Sequence, residues 1–194
     1  MDIFNTPRIV KESSRGYDTF SILDDMLTDR QINCVSEIDE ESVNSIILQL
    51  LYLEKQDPDA EITIYINSPG GSVQDGLALF DVMKAISCPI VTICMGMAAS
   101  MASVIFAAGN TRKMLPHSKV MIHDPRITKT GGTALDLQTI SENLMKTRTI
   151  MAEILAECTG KTSDEILENT KSDSYFTAEE AIEFGLADEI ITSL

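Results

Sequence analysis

The sequence predicts an α/β protein built on a parallel sheet, and three observations predict it. The β-branched run Ile62-Thr-Ile-Tyr-Ile66 ends in the turn-forming stretch Asn67-Ser-Pro-Gly-Gly71, after which Leu77, Phe80, Met83 and Ile86 take up helical spacing. The same succession recurs as an apolar run from Ile90 to Cys94, a turn at Gly96 and a helical stretch from Ser100 to Ala108. Two such units in tandem call for parallel strands joined by right-handed crossovers. At 194 residues, 44% of them hydrophobic, with no break in composition, the chain has the size of one domain around one core.

Residues 1–20 hold Pro7, Gly16 and several charges with little periodicity, which reads as a flexible N-terminal arm before a single domain over 21–194. Ile22-Leu23, Met26-Leu27 and Ile32 lead into a strand over 31–35. Asp39 is placed to cap a helix in which Val43, Ile46, Ile47, Leu50 and Leu51 form one buried stripe, and Asp57-Pro58-Asp59 ends it. Beyond the two strand–helix units, 112–115 and 119–122 are short strands separated by Pro116. The stretch from Asp124 to Gly132 reads as a loop or weak edge strand.

A long helix follows from Ala134 to Cys158, its apolar residues at three- and four-residue steps interrupted by Arg148 and its end marked by Gly160. Its length of about 25 residues suits a helix that leaves the core to meet another copy. Thr162-Ser-Asp-Glu165 and Thr177-Ala-Glu-Glu180 fit the capping-box pattern and start two short helices. A strand over 189–192 closes the chain.

Composition removes several classes of function. Thirty acidic against fifteen basic residues give a formal charge of -15, which repels nucleic acid and anionic membranes. Apolar runs are broken before they reach the roughly 18–20 residues that a spanning helix needs, and the N-terminus shows no signal-peptide pattern, so a cytoplasmic protein is expected. Cys34, Cys88, Cys94 and Cys158 lack metal-ligand spacing, and with only two histidines no metal or other cofactor is expected.

In an open parallel sheet the ligand site lies beyond the carboxyl ends of the strands, which puts Gly70-Gly71 and Ser100 on one edge. Ser100 lies where a strand gives way to a helix, among Gly96, Ala98, Ala99 and Ala102. Small residues there serve either tight helix packing or close approach to the hydroxyl. A serine nucleophile needs an imidazole base, itself oriented by a carboxylate. His123, at the end of a strand, is better placed for this than His117 in its turn. Oxyanion donors are available at the glycine turn, where Gly71 has no Cβ to block approach, and at Met101, whose amide follows Ser100 directly. Gly71 also reads as an ordinary turn residue.

These residues carry a resemblance. Tyr65-Ile-Asn-Ser-Pro-Gly-Gly71, Gly96-Met-Ala-Ala-Ser-Met101, Met121-Ile-His-Asp-Pro125 and Ala178-Glu-Glu-Ala-Ile-Glu-Phe-Gly-Leu186 resemble, in order and spacing over nearly the whole chain, the Clp protease proteolytic-subunit (ClpP) family. The resemblance implies a crotonase-like fold of repeated β-β-α units with a projecting handle over about 124–160, and an axial-loop role for the arm at 1–20. It implies Ser100 as nucleophile, His123 as general base, Asp173 as its orienting carboxylate, and the Gly71 and Met101 amides as oxyanion donors. It further implies heptameric rings, single or stacked as a tetradecamer, fed with unfolded polypeptides by a hexameric ATP-driven Clp unfoldase.

Two positions and one loop depart from the family pattern. Asp124 stands where glutamine is usual, Ser172 where an arginine commonly precedes the catalytic aspartate, and the loop to Gly131-Gly132 is longer and carries Arg126 and Lys129. They suit a divergent paralogue, and with it a second expectation: a catalytically weak scaffold paired with another ClpP-type subunit. A third reading is a crotonase-type acyl-CoA enzyme, in which Ser100 and His123 share no task.

Overall fold

A computed structural model describes residues 8–14, 16–127 and 130–194, and its architecture is a parallel sheet flanked by helices. Nine strands and seven helices follow one another among the described residues. The first two strands, β1 (Arg8–Ser13) and β2 (Gly16–Ser21), pair as an antiparallel hairpin, so the described part of the expected N-terminal arm has regular structure. Residues 1–7, Arg15, Thr128 and Lys129 lie outside the described residues.

The main sheet runs β3 (Gln31–Cys34), β4 (Ile62–Ser68), β5 (Ile90–Ala99), β6 (Thr111–Met114) and β9 (Glu189–Ile190), all neighbours parallel. Strand β5 is longer than its apolar run from Ile90 to Cys94 predicts, because it changes partner. Val91–Cys94 pairs with β6, and Met97–Ala99 pairs with β7 (Lys119–Ile122). Between the two halves β5 advances four residues, Cys94 to Ala98, while β4 advances two, Ile66 to Ser68. Gly96 sits in this bulge at φ 128°, and a Cβ there would lie 2.8 Å from Asn67 Oδ1, the atom that accepts the Met97 amide at 3.2 Å. The surplus backbone is thus bonded by a side chain, in space that only glycine leaves.

Helices α2 (Glu40–Gln56), α3 (Val73–Ala85) and α4 (Met101–Ala107) supply the crossovers. Each of the first two buries one stripe, Val43, Ile46, Leu50 and Leu53 in α2 and Leu79, Phe80 and Met83 in α3. Helix α4 is buried on every face, as its composition without a single charge requires. Helix α5 (Ala134–Thr159) buries only Ala152 and Leu155, near its end, while Leu135, Leu137, Met145 and Ile150 stay exposed.

Further elements differ from the sequence expectation. Residues 22–28 form helix α1 (Ile22–Thr28), started by a Ser21 capping box in which Asp24 fills the role usually taken by Glu. Residues 174–176 form β8 (Ser174–Phe176), antiparallel to β7; three residues are too few for period-two patterning to show in a sequence. The short helices α6 (Ser163–Asn169) and α7 (Ala178–Phe184) start at the Thr162 and Thr177 capping boxes, and the closing strand stops at Ile190 rather than reaching Thr192.

Arg112 on β6 joins the far ends of this framework. Its guanidinium donates to the Cys158 and Gly185 carbonyls, both at 2.7 Å, closing the ends of α5 and α7, and pairs with Asp188. These hydrogen bonds hold the Asp188 carboxyl below the usual carboxylate range.

The core sets two expectations. Phe106 is fully buried in α4, so Phe106→Ala should cost about 3–5 kcal/mol in urea unfolding. Burial pushes the Cys34 thiol up to about 12 and the Cys94 thiol up to about 11, so neither is thiolate at neutral pH. Iodoacetamide at pH 7.5 should leave both unmodified in native protein and alkylate them in urea, read by peptide mass.

Candidate active site

Ser100 is forced into its position by the end of β5. Its amide donates to the Met121 carbonyl at 2.8 Å, which continues the β5–β7 ladder, while its own carbonyl already accepts the Ser103 amide at 2.9 Å at the start of α4. A residue that ends a strand and opens a helix without an intervening loop must turn sharply, and Ser100 does so at φ 53°, ψ -125°. Among the described residues only Arg30 and Ser100 combine a side chain with positive φ. Such strain is held by over-determined surroundings, here two backbone bonds and a buried helix, and it lifts the hydroxyl clear of the turn.

The glycine turn after β4 packs against that bend. A Cβ on Gly70 would lie 2.5 Å from the Ala99 carbonyl oxygen and 2.7 Å from Ser100 Cβ, so only glycine fits there, and at φ 91°. The turn is held by Ser68, whose hydroxyl donates to the Ser36 carbonyl and accepts the Gly70 amide at 3.1 Å. Gly71 lies beside this contact and bridges to Ile38. The bridge uses the Ile38 amide to Gly70 O at 2.9 Å and the Ser72 amide to Ile38 O at 2.7 Å, which leaves the Gly71 amide out of the pairing. Met101 opens α4, so its amide has no carbonyl within the helix to donate to.

His123 follows β7 directly, and its Nε2 lies 2.7 Å from Ser100 Oγ. Asp173 directly precedes β8. Antiparallel pairing of Ile122 with Ser174 therefore puts the next residues, His123 and Asp173, opposite one another. The gap between His123 Nδ1 and Asp173 Oδ1 is 3.7 Å, beyond a hydrogen bond, and Nδ1 is buried without a partner among the described residues. Asp173 is instead taken by Arg126, whose guanidinium donates to the same Oδ1. Burial first, and the Arg126 charge second, hold the His123 imidazole below its ordinary range, against the opposing pull of Asp173 and Asp124.

Asp124 ties this side of the site together. Its carboxylate accepts Arg148 Nε on α5 at 2.6 Å and the Thr170 hydroxyl at 2.6 Å, while its amide donates to the Thr170 carbonyl at 2.8 Å. The segment carrying His123, the segment leading to Asp173 and helix α5 thus meet at one side chain. Arg148, Met151, Asp124 and Thr170 line a cavity shared with Ser100 and His123.

The structure therefore brings together Ser100 and His123 in hydrogen-bond contact, and Gly71 and Met101 on the neighbouring turns. Asp173 is adjacent but out of contact. His117 is exposed in its turn. Sequence reasoning had no sign of the partners of Arg126 and Asp124. Arg148 was the available signal, since a half-buried cation in an apolar helical stripe calls for an anion beside it.

A serine at a strained strand-to-helix turn, bonded to an imidazole at the edge of a parallel sheet, defines the class as a serine hydrolase. The sequence model of the Clp protease family matches residues 13–194. The "ATP-dependent Clp protease proteolytic subunit" of Ligilactobacillus salivarius (strain UCC118) is 41% identical over 187 residues, covering 95% of this chain and 94% of that protein. The chain belongs to the Clp protease family and is a serine endopeptidase. Membership carries with it oligomeric rings and association with Clp ATPases. The comparisons favour neither the scaffold reading nor the acyl-CoA reading. Among the described residues, no helix is long and apolar enough to cross a membrane.

The contact between the glycine turn and Ser100 can be tested by adding one methyl group. Gly70→Ala should destabilise the fold by about 1–3 kcal/mol, because the clash is with backbone that cannot give way. It should also lower kcat/KM on a short peptide by about 100-fold or more if the hydroxyl beside this turn is the reacting group, as displacement of such a group by an ångström does.

Proposed function

We propose that Ser100 is the nucleophile, His123 its general base, and the Gly71 and Met101 amides the donors that stabilise the oxyanion, in hydrolysis of peptide bonds in unfolded polypeptides. The observation that carries this reading is the 2.7 Å contact between Ser100 Oγ and His123 Nε2 at a strained turn. For Nε2 to accept a proton, the hydrogen of the neutral ring sits on Nδ1, the nitrogen that faces Asp173. Asp173 is the carboxylate that orients this tautomer and balances the imidazolium.

In acylation the Ser100 proton passes to His123 Nε2 as Oγ bonds to the peptide carbonyl carbon, and the carbonyl oxygen becomes negative beside the two amides. The carbon–nitrogen bond then breaks, and the Nε2 proton goes to the departing amine. Water enters, gives its proton to Nε2 and attacks the ester, and Ser100 leaves with that proton as the acid is released. Losing one oxyanion donor in such a site costs about 2.7–4 kcal/mol of transition-state stabilisation. The chemistry uses no metal or organic cofactor.

The partners extend the family relationship. The Ligilactobacillus salivarius relative is by name a subunit of an ATP-dependent protease. We infer heptameric rings of this chain in the cytoplasm, stacked in pairs or joined to a second ClpP-type ring and fed by a hexameric ATP-driven Clp unfoldase. The exposed apolar side chains Leu135, Leu137, Met145 and Ile150 on α5 support a contact between copies along that helix.

A fluorophosphonate probe should label Ser100 in ring-sized particles, with particle mass read by light scattering. Ser100→Ala should abolish labelling and lower peptide hydrolysis by about 10⁴-fold or more. Failure of assembled wild-type protein to label would overturn the assignment. The base must be unprotonated to act, and burial together with the Arg126 charge holds the His123 imidazole below its ordinary range. The acid limb of kcat/KM should therefore have its midpoint below that of an ordinary imidazole, with activity lost as pH falls through that midpoint.

A further inference from the structure

The unpartnered Nδ1 of His123 and the carboxylate that ought to serve it are separated by a third residue. Asp173 Oδ1 faces two donors, His123 Nδ1 at 3.7 Å and the Arg126 guanidinium in direct contact. A carboxylate bonded to a guanidinium by a charge-assisted hydrogen bond has little reason to turn to a neutral imidazole. A buried ring nitrogen without a partner carries a desolvation penalty that a rotation of Asp173 would relieve. The carboxylate stays on the arginine because the ion pair wins that competition.

We propose that Arg126 is a positioning residue that acts through Asp173: in the state described it holds the carboxylate off His123, and the chain becomes fully competent for hydrolysis when the guanidinium lets go. The inference rests on the assignment of Ser100, His123 and Asp173 as the reacting set. Among the described residues, the other segments that meet at the site bring no further cation to Asp173, since Arg148 is bonded to Asp124. Asp124 is occupied by Arg148 and Thr170, and Ser172, next to Asp173, offers no charge. The Arg126 side chain is 57% exposed and that of Asp173 37%, so the pair is open to solvent and held by modest energy. A reversible hold needs such a balance, since a buried pair would keep the site switched off.

Among the described residues, the charged groups that act on His123 are Arg126, Asp173 and Asp124, with Arg148 of α5 behind Asp124. Removing the Arg126 charge acts on His123 in one direction by two routes. A repelling cation is lost from beside the imidazole, and Asp173 becomes free to accept the Nδ1 hydrogen. Both favour the imidazolium, so the acid limb of kcat/KM must move to higher pH while the rate on its plateau rises.

The test compares the full-length, ring-assembled wild type with Arg126→Gln and Arg126→Lys on a short peptide, with fluorophosphonate labelling of Ser100 alongside. Arg126→Gln is expected to raise plateau kcat/KM by about two- to fivefold, the range a half-exposed ion pair controls. It should also move the acid limb upward, whereas Arg126→Lys should leave the limb where it is. A rate in Arg126→Gln equal to or below wild type, a limb that stays or moves down, or an equal shift in Arg126→Lys overturns the proposal. If wild type and Arg126→Gln label equally well, the hold by Arg126 falls and the Ser100 assignment stands; if neither labels, both fall.

Discussion

The structure depends on one strand serving two partners. Strand β5 runs beside β4 throughout, yet pairs with β6 over its first half and with β7 over its second. The exchange needs surplus backbone in β5, and the bulge opposite Asn67 supplies it, with Gly96 giving the asparagine side chain room to bond the Met97 amide. Because the second half continues to Ala99, the Ser100 amide joins the β7 ladder at Met121, two residues before His123. The hydroxyl and the imidazole meet because the same ladder measures out both.

The remaining site geometry follows from elements on either side of that ladder. The glycine turn after β4 presses on Ala99 and Ser100 from one side and is itself held by Ser68 and Ile38. From the other side, β8 pairs with β7 and carries Asp173 to the position opposite His123. The backbone thus brings the carboxylate within reach, and side-chain competition settles where it points. Asp124 and Arg126, two residues apart, act on the site in opposite senses. Asp124 fastens the His123 segment to α5 and to Thr170, and Arg126 draws Asp173 away from the ring.

Much of the fold and part of the site were legible in the sequence. The strand–glycine–helix repeats, the amphipathic stripe of α2 and the capping boxes at Thr162 and Thr177 are signals within a few residues of one another, where periodicity and capping chemistry operate. Ser100 and His123 stood out as a serine in a small-residue turn and a histidine at a strand end. Strand β8 escaped notice because three residues carry no readable alternation, and α1 because seven residues with two aspartates make a weak amphipathic pattern.

By itself the sequence determined most of the strands and helices between residues 31 and 190, that the sheet is parallel, and that Ser100 and Gly71 share one edge, because backbone propensity and hydrophobic period act locally along the chain. Only the tertiary structure decided that β5 divides its pairing, that Ser100 adopts positive φ, and that Asp173 bonds Arg126 in preference to His123. The reason is the range of the forces involved. Asp173 lies 47 residues from Arg126, and its choice of partner is fixed by a register and a separation of a few ångströms that exist only once β7 and β8 have paired.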